Sequence, residues 1–364
     1  MKSSNDIAVE VTGLTKDYGS VRALRSVDLK IKSGDYFALL GPSGGGKTTL
    51  LRLIGGFLRP THGRVLLHGR DASDLPPNRR PTSMVFQSFA LFPHMSVARN
   101  VGYGLRLRKM SADEVSARVD AMLGQVGLTG YDDRMPHELS GGQQQRVQLA
   151  RSLVLETDIL LLDEPLAALD AKLRKDMCIE LKHLQKEVGI TFIHVTHNQE
   201  EAMTVADHLA IIADGVLVEQ GTAADLYENP QERFTADFIG ENNLLDGTVN
   251  SVDGDTVIVD LGYDTVSVLK RNIDVAGGDP VTVSIRSELL RVLNGDHDGE
   301  TVPGAYDETV YLGLTTSDLV VLPGGQEILA RRISDGSERP DRKRGDAVRL
   351  GWHSADARLH LRQT

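Results

Sequence analysis

Up to about residue 240, short apolar runs alternate with amphipathic stretches along the chain. Val9 to Leu14 and Val27 to Ile31 have the pattern of strands. Tyr36-Phe37-Ala38-Leu39-Leu40 predicts a buried strand that ends in a glycine-rich turn, and a helix is expected from Lys47 to Gly55. Met84-Val85-Phe86 reads as another short strand. Between Ser111 and Gln125, Val115, Val119, Met122 and Leu123 recur at helical spacing. A fully apolar strand is expected over Asp158 to Leu162, a charged amphipathic helix over Ala171 to Glu187, and strands at Thr191 to Val195 and Leu209 to Ile212. Strands alternating with helices predict a mostly parallel sheet covered on both faces.

The rhythm changes near Gly240. Short β-like runs follow, at Thr256 to Val259, Val281 to Ile285, Leu319 to Leu322 and Ala347 to Leu350. Turns such as Gly277-Gly278-Asp279-Pro280 and Pro323-Gly324-Gly325 separate them, and no long helical pattern appears. A small β-barrel domain is expected there.

Composition narrows the function. The chain has 364 residues, 40% of them hydrophobic and 25% charged, which suits two globular domains. The formal net charge is −11, and from Glu241 onward 13 Lys/Arg face 21 Asp/Glu. Small barrels often bind oligonucleotides, but an acidic one argues against a nucleic-acid role. The single cysteine, Cys178, cannot form an internal disulfide and reads as a small packing residue in a reducing compartment. No stretch approaches the roughly 20 apolar residues of a membrane span. Met1 to Asp6 lacks the apolar core of a signal peptide. A cytoplasmic protein is expected, one that reaches a membrane only by docking onto a partner.

Three segments carry candidate chemistry. Gly41-Pro42-Ser43-Gly44-Gly45-Gly46-Lys47-Thr48 fits the G-x-x-x-x-G-K-[ST] pattern. Its glycines let successive N–H groups point at phosphate oxygens, and the helix behind adds its positive end. Lys47 would neutralise the β- and γ-phosphates, with the Thr48 hydroxyl on Mg²⁺. A glycine-rich turn with a stray lysine is the plainer alternative, disfavoured by the strand before it and the helix after. Ile159-Leu160-Leu161-Leu162-Asp163-Glu164 places an acidic pair at the C-terminal end of an apolar strand, where parallel sheets bind ligands. There Asp163 would hold Mg²⁺ and Glu164 would polarise a water as general base. Alone, it could equally be a strand ending in two solvated acids. In Leu139-Ser140-Gly141-Gly142-Gln143-Gln144-Gln145-Arg146, a Ser-Gly-Gly run opens a helix and could bind an anion. Taken by itself, Ser140 is better read as an ordinary helix cap.

Leu-Ser-Gly-Gly-Gln between a phosphate-binding loop and an acidic-ended strand resembles the signature of ABC ATPases. The resemblance runs over residues 6 to 240. Gln87 resembles the family's Q-loop glutamine, Ala168-Leu169-Asp170 its D-loop, and His197 its switch histidine. Tyr18 stands where the family stacks an aromatic on adenine, although it could be an ordinary half-buried tyrosine. A lone histidine after a strand would be read as packing; the full motif order reverses that for His197. The resemblance implies an α/β P-loop NTPase domain over 1–240 with a helical subdomain at about 88–157. It also implies a homodimer with ATP between the subunits. One subunit would offer Gly41, Pro42, Ser43, Gly44, Gly45, Gly46, Lys47, Thr48 and Thr49, with Gln87, Glu164 and His197 as catalytic groups and Thr48, Gln87 and Asp163 around Mg²⁺. The other would offer Ser140, Gly141, Gly142 and Gln143 to the γ-phosphate, with Asp170 nearby.

The tail, 241–364, resembles the OB-like TOBE barrel of bacterial importer subunits. Ile239-Gly240-Glu241-Asn242-Asn243 matches its start, and Gly345 to Trp352 with Asp356-Ala357 matches its end in the spermidine/putrescine group. Phe86 to Met95 fits this importer class too. That segment is implied to dock onto two membrane-spanning permease subunits, although Phe86, Phe89 and Phe92 could in part be core. The complex would sit on the cytoplasmic face of the inner membrane and work with an extracytoplasmic solute-binding protein. Ferric-iron, sugar and sulfate importers use similar subunits, so the solute stays open. A soluble ABC ATPase is the rival class. Its translation types carry two cassettes, and its DNA-maintenance types need more chain between Gln87 and Leu139. A regulator without turnover fits poorly with Glu164 and His197 both present. Ile285-Arg286-Ser287-Glu288 departs from the family's Arg-Pro-Glu, and losing the proline is expected to free the local backbone.

Overall fold

The computed structural model describes residues 7–362 except Phe89, Asn272, Asn294, Asp296 and 335–341. The chain divides into two compact units at Ala223/Ala224; the sequence reading puts the boundary at residue 240.

The first unit opens on the long hairpin β1 (Ile7–Tyr18) and β2 (Val21–Lys32). β3 (Tyr36–Leu40), buried at every position, runs through the glycine loop into α1 (Lys47–Ile54). β4 (His62–Leu67), β5 (Arg70–Asp71) and β6 (Thr82–Val85) follow. Then come the helices α2 (Val97–Val101), α3 (Tyr103–Leu107), α4 (Ala112–Gln125) and α5 (Gly141–Leu153). The unit closes with β7 (Ile159–Asp163), α6 (Ala171–Val188), β8 (Thr191–Val195), α7 (Gln199–Val205), β9 (His208–Ala213) and β10 (Val216–Gly221).

Two sheets result. One has the order β10-β9-β3-β8-β7-β6 and is parallel from β9 to β6. The other, β2-β1-β4-β5, is antiparallel. The runs at Val9 and Val27 therefore belong outside the parallel sheet in which the alternating pattern puts them. Two strands joined by the two-residue turn at Gly19 can only pair antiparallel. A shared core joins the sheets through α1, with Leu14, Leu24, Ile31, Leu39, Leu50, Leu53, Leu161 and Ile193 inaccessible to solvent. The helical region has a core of its own, in which Val97, Val101, Leu105, Val115, Val119 and Leu123 meet Val147 and Ala150 of α5. Ser111 caps α4 in a reciprocal capping box with Glu114.

The second unit begins with two short helices, α8 (Ala223–Glu228) and α9 (Arg233–Phe238). The strands are β11 (Asn242–Asp253), β12 (Thr256–Asp260), β13 (Thr265–Leu269), β14 (Pro280–Arg286), β15 (Arg291–Val292), β16 (Glu300–Tyr311), β17 (Thr315–Val321), β18 (Glu327–Ile333), β19 (Ala347–Trp352) and β20 (Arg358–Leu361). They form two antiparallel sheets, β13-β12-β11-β14-β20 and β15-β19-β16-β17-β18. Both contribute to one core that includes Val257, Val259, Val281, Val283, Val320, Leu350 and Trp352, the arrangement of a β-barrel domain.

Ser287 does not loosen its surroundings. It is 1% exposed, donates its N–H to the Glu241 carbonyl at 3.1 Å and accepts from Arg331 N–H at 2.7 Å. A proline there would have no N–H to give. The neighbouring Arg286 guanidinium binds the Tyr227 carbonyl at 2.6 Å and the Ile239 carbonyl, and lies 4.2 Å from the Tyr227 ring.

Candidate active site

Four strands of the parallel sheet end side by side and bring the predicted residues together. β3 leads into the glycine loop, β7 ends at Asp163, β8 ends just before Thr196 and His197, and Gln87 follows β6. The register fixes their level, because Val195 pairs with both Leu39 and Asp163.

The loop from Gly41 to Gly46 is shaped by contacts that exclude side chains. Gly41 has φ 152°, and a Cβ there would lie 2.0 Å from the Ile212 carbonyl oxygen. Gly46, the residue before α1, sits at φ 108° without a side-chain cap, which leaves the N–H groups of the first turn for a ligand. Gly45 is buried, Ser43 and Gly44 are exposed, and Pro42, Thr48 and Thr49 are half-buried. Lys47 is 5% exposed and donates to the Gly41 and Pro42 carbonyls, each at 2.8 Å. Burial lowers its pKa, partly offset by the charges of Glu164 and Asp163. An ammonium so desolvated gains much from an anion placed among these groups.

Thr48 Oγ1 donates to Asp163 Oδ1 at 3.0 Å, which brings together two oxygens of the kind a hard divalent cation takes. Burial raises the Asp163 pKa, while the Thr48 hydrogen bond and the Arg52 charge pull it down. Glu164 occupies the left-handed region at φ 47°, a conformation that costs a side-chain-bearing residue about 1–3 kcal/mol. Its N–H is tied to the Val195 carbonyl at 3.0 Å. Its carboxylate accepts from Gln87 Nε2 at 3.1 Å and lies 3.4 Å from His197 Nδ1. A carboxylate between an amide and an imidazole can take a proton from a water held beside it.

Ser140, Gly141, Gly142 and Gln143 are not bonded into this cluster. Ser140 Oγ accepts from Gln143 N–H at 3.4 Å, and Ser140 N–H donates to Gln143 Oε1 at 2.9 Å, so the pair caps α5. Asp170 caps α6, accepting from Leu173 N–H at 3.0 Å. Tyr18, 47% exposed, ends β1 with Lys16 Nζ 5.2 Å above its ring. Phe86 packs edge-on against Phe57, and Phe92 lies 4.7 Å from the Tyr103 ring. Phe89 falls outside the described residues. Cys178 is buried, and burial pushes its thiol up to about 12, as befits packing.

Two neighbours escaped the sequence reading. Arg52 Nη2 lies 3.5 Å from Asp163 Oδ2; its place four residues after Thr48, on the same helical face, was the available signal. Glu201 is 5% exposed and accepts from Thr196 Oγ1 at 2.6 Å, while its N–H donates to Asn198 Oδ1 at 3.0 Å. Both bonds brace the turn that carries His197. The signal was the cap spacing of Asn198 and Glu201.

The ABC transporter family model matches residues 24–167, and the TOBE domain model matches residues 283–359. The spermidine/putrescine import ATP-binding protein of Rubrobacter xylanophilus is 46% identical over 348 residues, 95% of this chain and 92% of that protein. Its counterpart in Roseobacter denitrificans is 46% identical over 330 residues, 89% of each chain. Among solved structures, CbiO1 of Clostridium perfringens, part of an ABC transporter complex, is 32% identical with a TM-score of 0.58. It aligns with 62% of this chain and 92% of its own. A dimeric ATP-binding cassette in a post-hydrolysis state with ADP and Pi is 33% identical, with a TM-score of 0.53, over 59% of this chain and 98% of its own.

Proposed function

The chain belongs to the family of ABC transporter ATP-binding proteins, and from that premise we propose that it hydrolyses ATP at the cluster around Glu164 to drive polyamine import. That it is an ATP-binding ATPase of an ABC import system follows from its family and its relatives. The solute rests on relatives named for spermidine and putrescine at 41–46% identity. The observation that carries the catalytic reading is the bonded group Thr48–Asp163 and Gln87–Glu164–His197 beside a glycine loop.

In this reading the β- and γ-phosphates of ATP lie on the N–H groups between Gly41 and Thr49. Lys47 Nζ leaves the Gly41 and Pro42 carbonyls for phosphate oxygens. Thr48, Asp163 and Gln87 are the residues that would hold Mg²⁺, and their hydroxyl, carboxylate and amide oxygens suit it; the ion would supply charge neutralisation at the phosphates. Glu164 takes the proton of the attacking water, and His197 contacts the γ-phosphate beside it. Tyr18 stacks on the adenine.

A second copy completes the site through Ser140, Gly141, Gly142 and Gln143 at the N-terminus of its α5, with Asp170 nearby. ATP then ties two surfaces together, and hydrolysis loosens them. Two permease subunits would hold the dimer at the cytoplasmic face of the inner membrane through the segment Phe86 to Met95, and a solute-binding protein would deliver the polyamine from outside. Among the described residues no helix is long and apolar enough to cross a membrane, in keeping with attachment through partners. Affinity isolation of the tagged chain from detergent-solubilised membranes tests the assembly. Two polytopic membrane proteins should co-purify; recovery of ribosomes or DNA instead would refute the transporter assignment.

A further inference from the structure

The helix that opens with Ser140 reaches back, two turns later, to the loop that carries Gln87. Gln148 of α5 is 2% exposed. Its Nε2 donates to the Phe86 carbonyl at 3.0 Å and to the Ser88 carbonyl at 3.1 Å, the two residues that flank Gln87. Three residues on, Arg151 Nη1 donates to the Ala90 carbonyl at 2.7 Å and its guanidinium lies 5.1 Å from the Phe92 ring. Ala90 has φ 47°, a left-handed conformation that residues with a Cβ other than Asn and Asp seldom adopt. The loop is therefore held in a shape it would not keep unaided. Gln148 Oε1 is buried without a hydrogen-bond partner among the described residues. A buried amide so placed is tolerable only while its donor bonds hold, so those two bonds to the loop account for its presence.

We infer that Gln148, seconded by Arg151, is a positioning residue that fixes Gln87 against Glu164. The inference rests on the role of Gln87 proposed above. One amide bridging the carbonyls on either side of Gln87 sets both the height and the tilt of that backbone.

The test uses the full chain with Gln148→Leu, close in size but without a donor. In the absence of nucleotide, amide hydrogen exchange over residues 84–92 should quicken about five-fold or more, while β3 and β7 exchange as before. In turnover assays the half-saturating Mg²⁺ concentration should rise several-fold. Combined with Gln87→Ala, Gln148→Leu should add no further loss, because both remove the same interaction. Unchanged exchange over 84–92 overturns the inference, and so do losses that multiply in the double variant. If Gln87→Ala turns over ATP like the unaltered chain, the role of Gln87 fails; the exchange measurement still decides whether Gln148 holds the loop. Should Gln148→Leu fold poorly, Gln148→Asn withdraws the amide by one methylene and should show the same exchange.

Discussion

Glu164 Oε2 accepts a hydrogen bond from Gln87 Nε2 at 3.1 Å, joining the end of β7 to the loop after β6. With His197 Nδ1 at 3.4 Å from the same oxygen, one carboxylate is addressed from two other strand ends. Glu164→Gln keeps the shape and removes the base. ATP should bind within about two-fold of the original affinity while kcat falls about 10²–10⁴-fold. Sedimentation with ATP should show a persistent dimer. Unchanged turnover would remove Glu164 from the chemistry.

The glycine loop predicts a contrast. Gly44 has φ 79° but open space around a Cβ, whereas Gly41 would place a Cβ 2.0 Å from the Ile212 carbonyl. Gly44→Ala should therefore cost about 1–2 kcal/mol of folding stability from the left-handed conformation alone and leave nucleotide affinity within about three-fold. Gly41→Ala must push β9 or the loop aside and should weaken nucleotide binding by more than about ten-fold, read by fluorescent-nucleotide titration. Equal affinities for the two variants would contradict this reading of the loop.

Much of this site was legible because its chemistry is local in sequence. The run from Tyr36 to Leu40 followed by Gly41, and the run from Ile159 to Leu162 followed by Asp163, each declare a buried strand and its functional end within ten residues. Pairing was less visible. Val9 and Val27 have the same apolar character as the parallel strands, and only the short turn at Gly19 betrays their antiparallel partnership. β16 was missed because Pro303, Gly304, Asp307 and Glu308 interrupt its apolar pattern, although Pro303 pairs with Arg349 in the sheet. Gln148 could be seen only as a polar residue in an apolar stripe, since its partners are loop carbonyls about 60 residues away.

A buried histidine behind the site contributes to the response to acid. His194 is wholly buried, bonds to the Tyr36 hydroxyl at 2.9 Å, and burial lowers its pKa from 6.5 to about 3. Below pH ~6.5 the unfolded chain takes up a proton that the folded chain refuses, so stability falls as pH drops towards 3. Glu201, whose pKa burial raises, acts in the opposite sense: its contribution is present at low pH and lost as pH rises through its folded value. The difference between the unaltered chain and His194→Gln reports the histidine together with its effect on Glu201, whose Oε2 lies 3.7 Å from His194 Nε2. The variant should lose less stability between pH 7 and 5, by up to about 1.4 kcal/mol per pH unit below the unfolded pKa, in urea titrations. Parallel pH profiles would show that His194 is charged in the fold.

Trp352 is the single tryptophan and is 1% exposed in the core of the second unit. Its emission should report the unfolding of residues 224–364. ATP bound to Glu164→Gln should raise the midpoint seen by helical circular dichroism, which the first unit dominates, by several degrees while moving the tryptophan transition less. A single transition shifted equally in both signals would argue against two separable units.

The most direct test of the proposed role is uptake of labelled spermidine or putrescine by cells whose only copy of this chain carries Glu164→Gln. The part of uptake that is lost on deleting the chain should stay lost, although the variant accumulates normally and remains with the membrane fraction. Uptake at the unaltered rate would contradict hydrolysis at Glu164 as its power source; no loss of uptake on deletion would contradict the polyamine assignment.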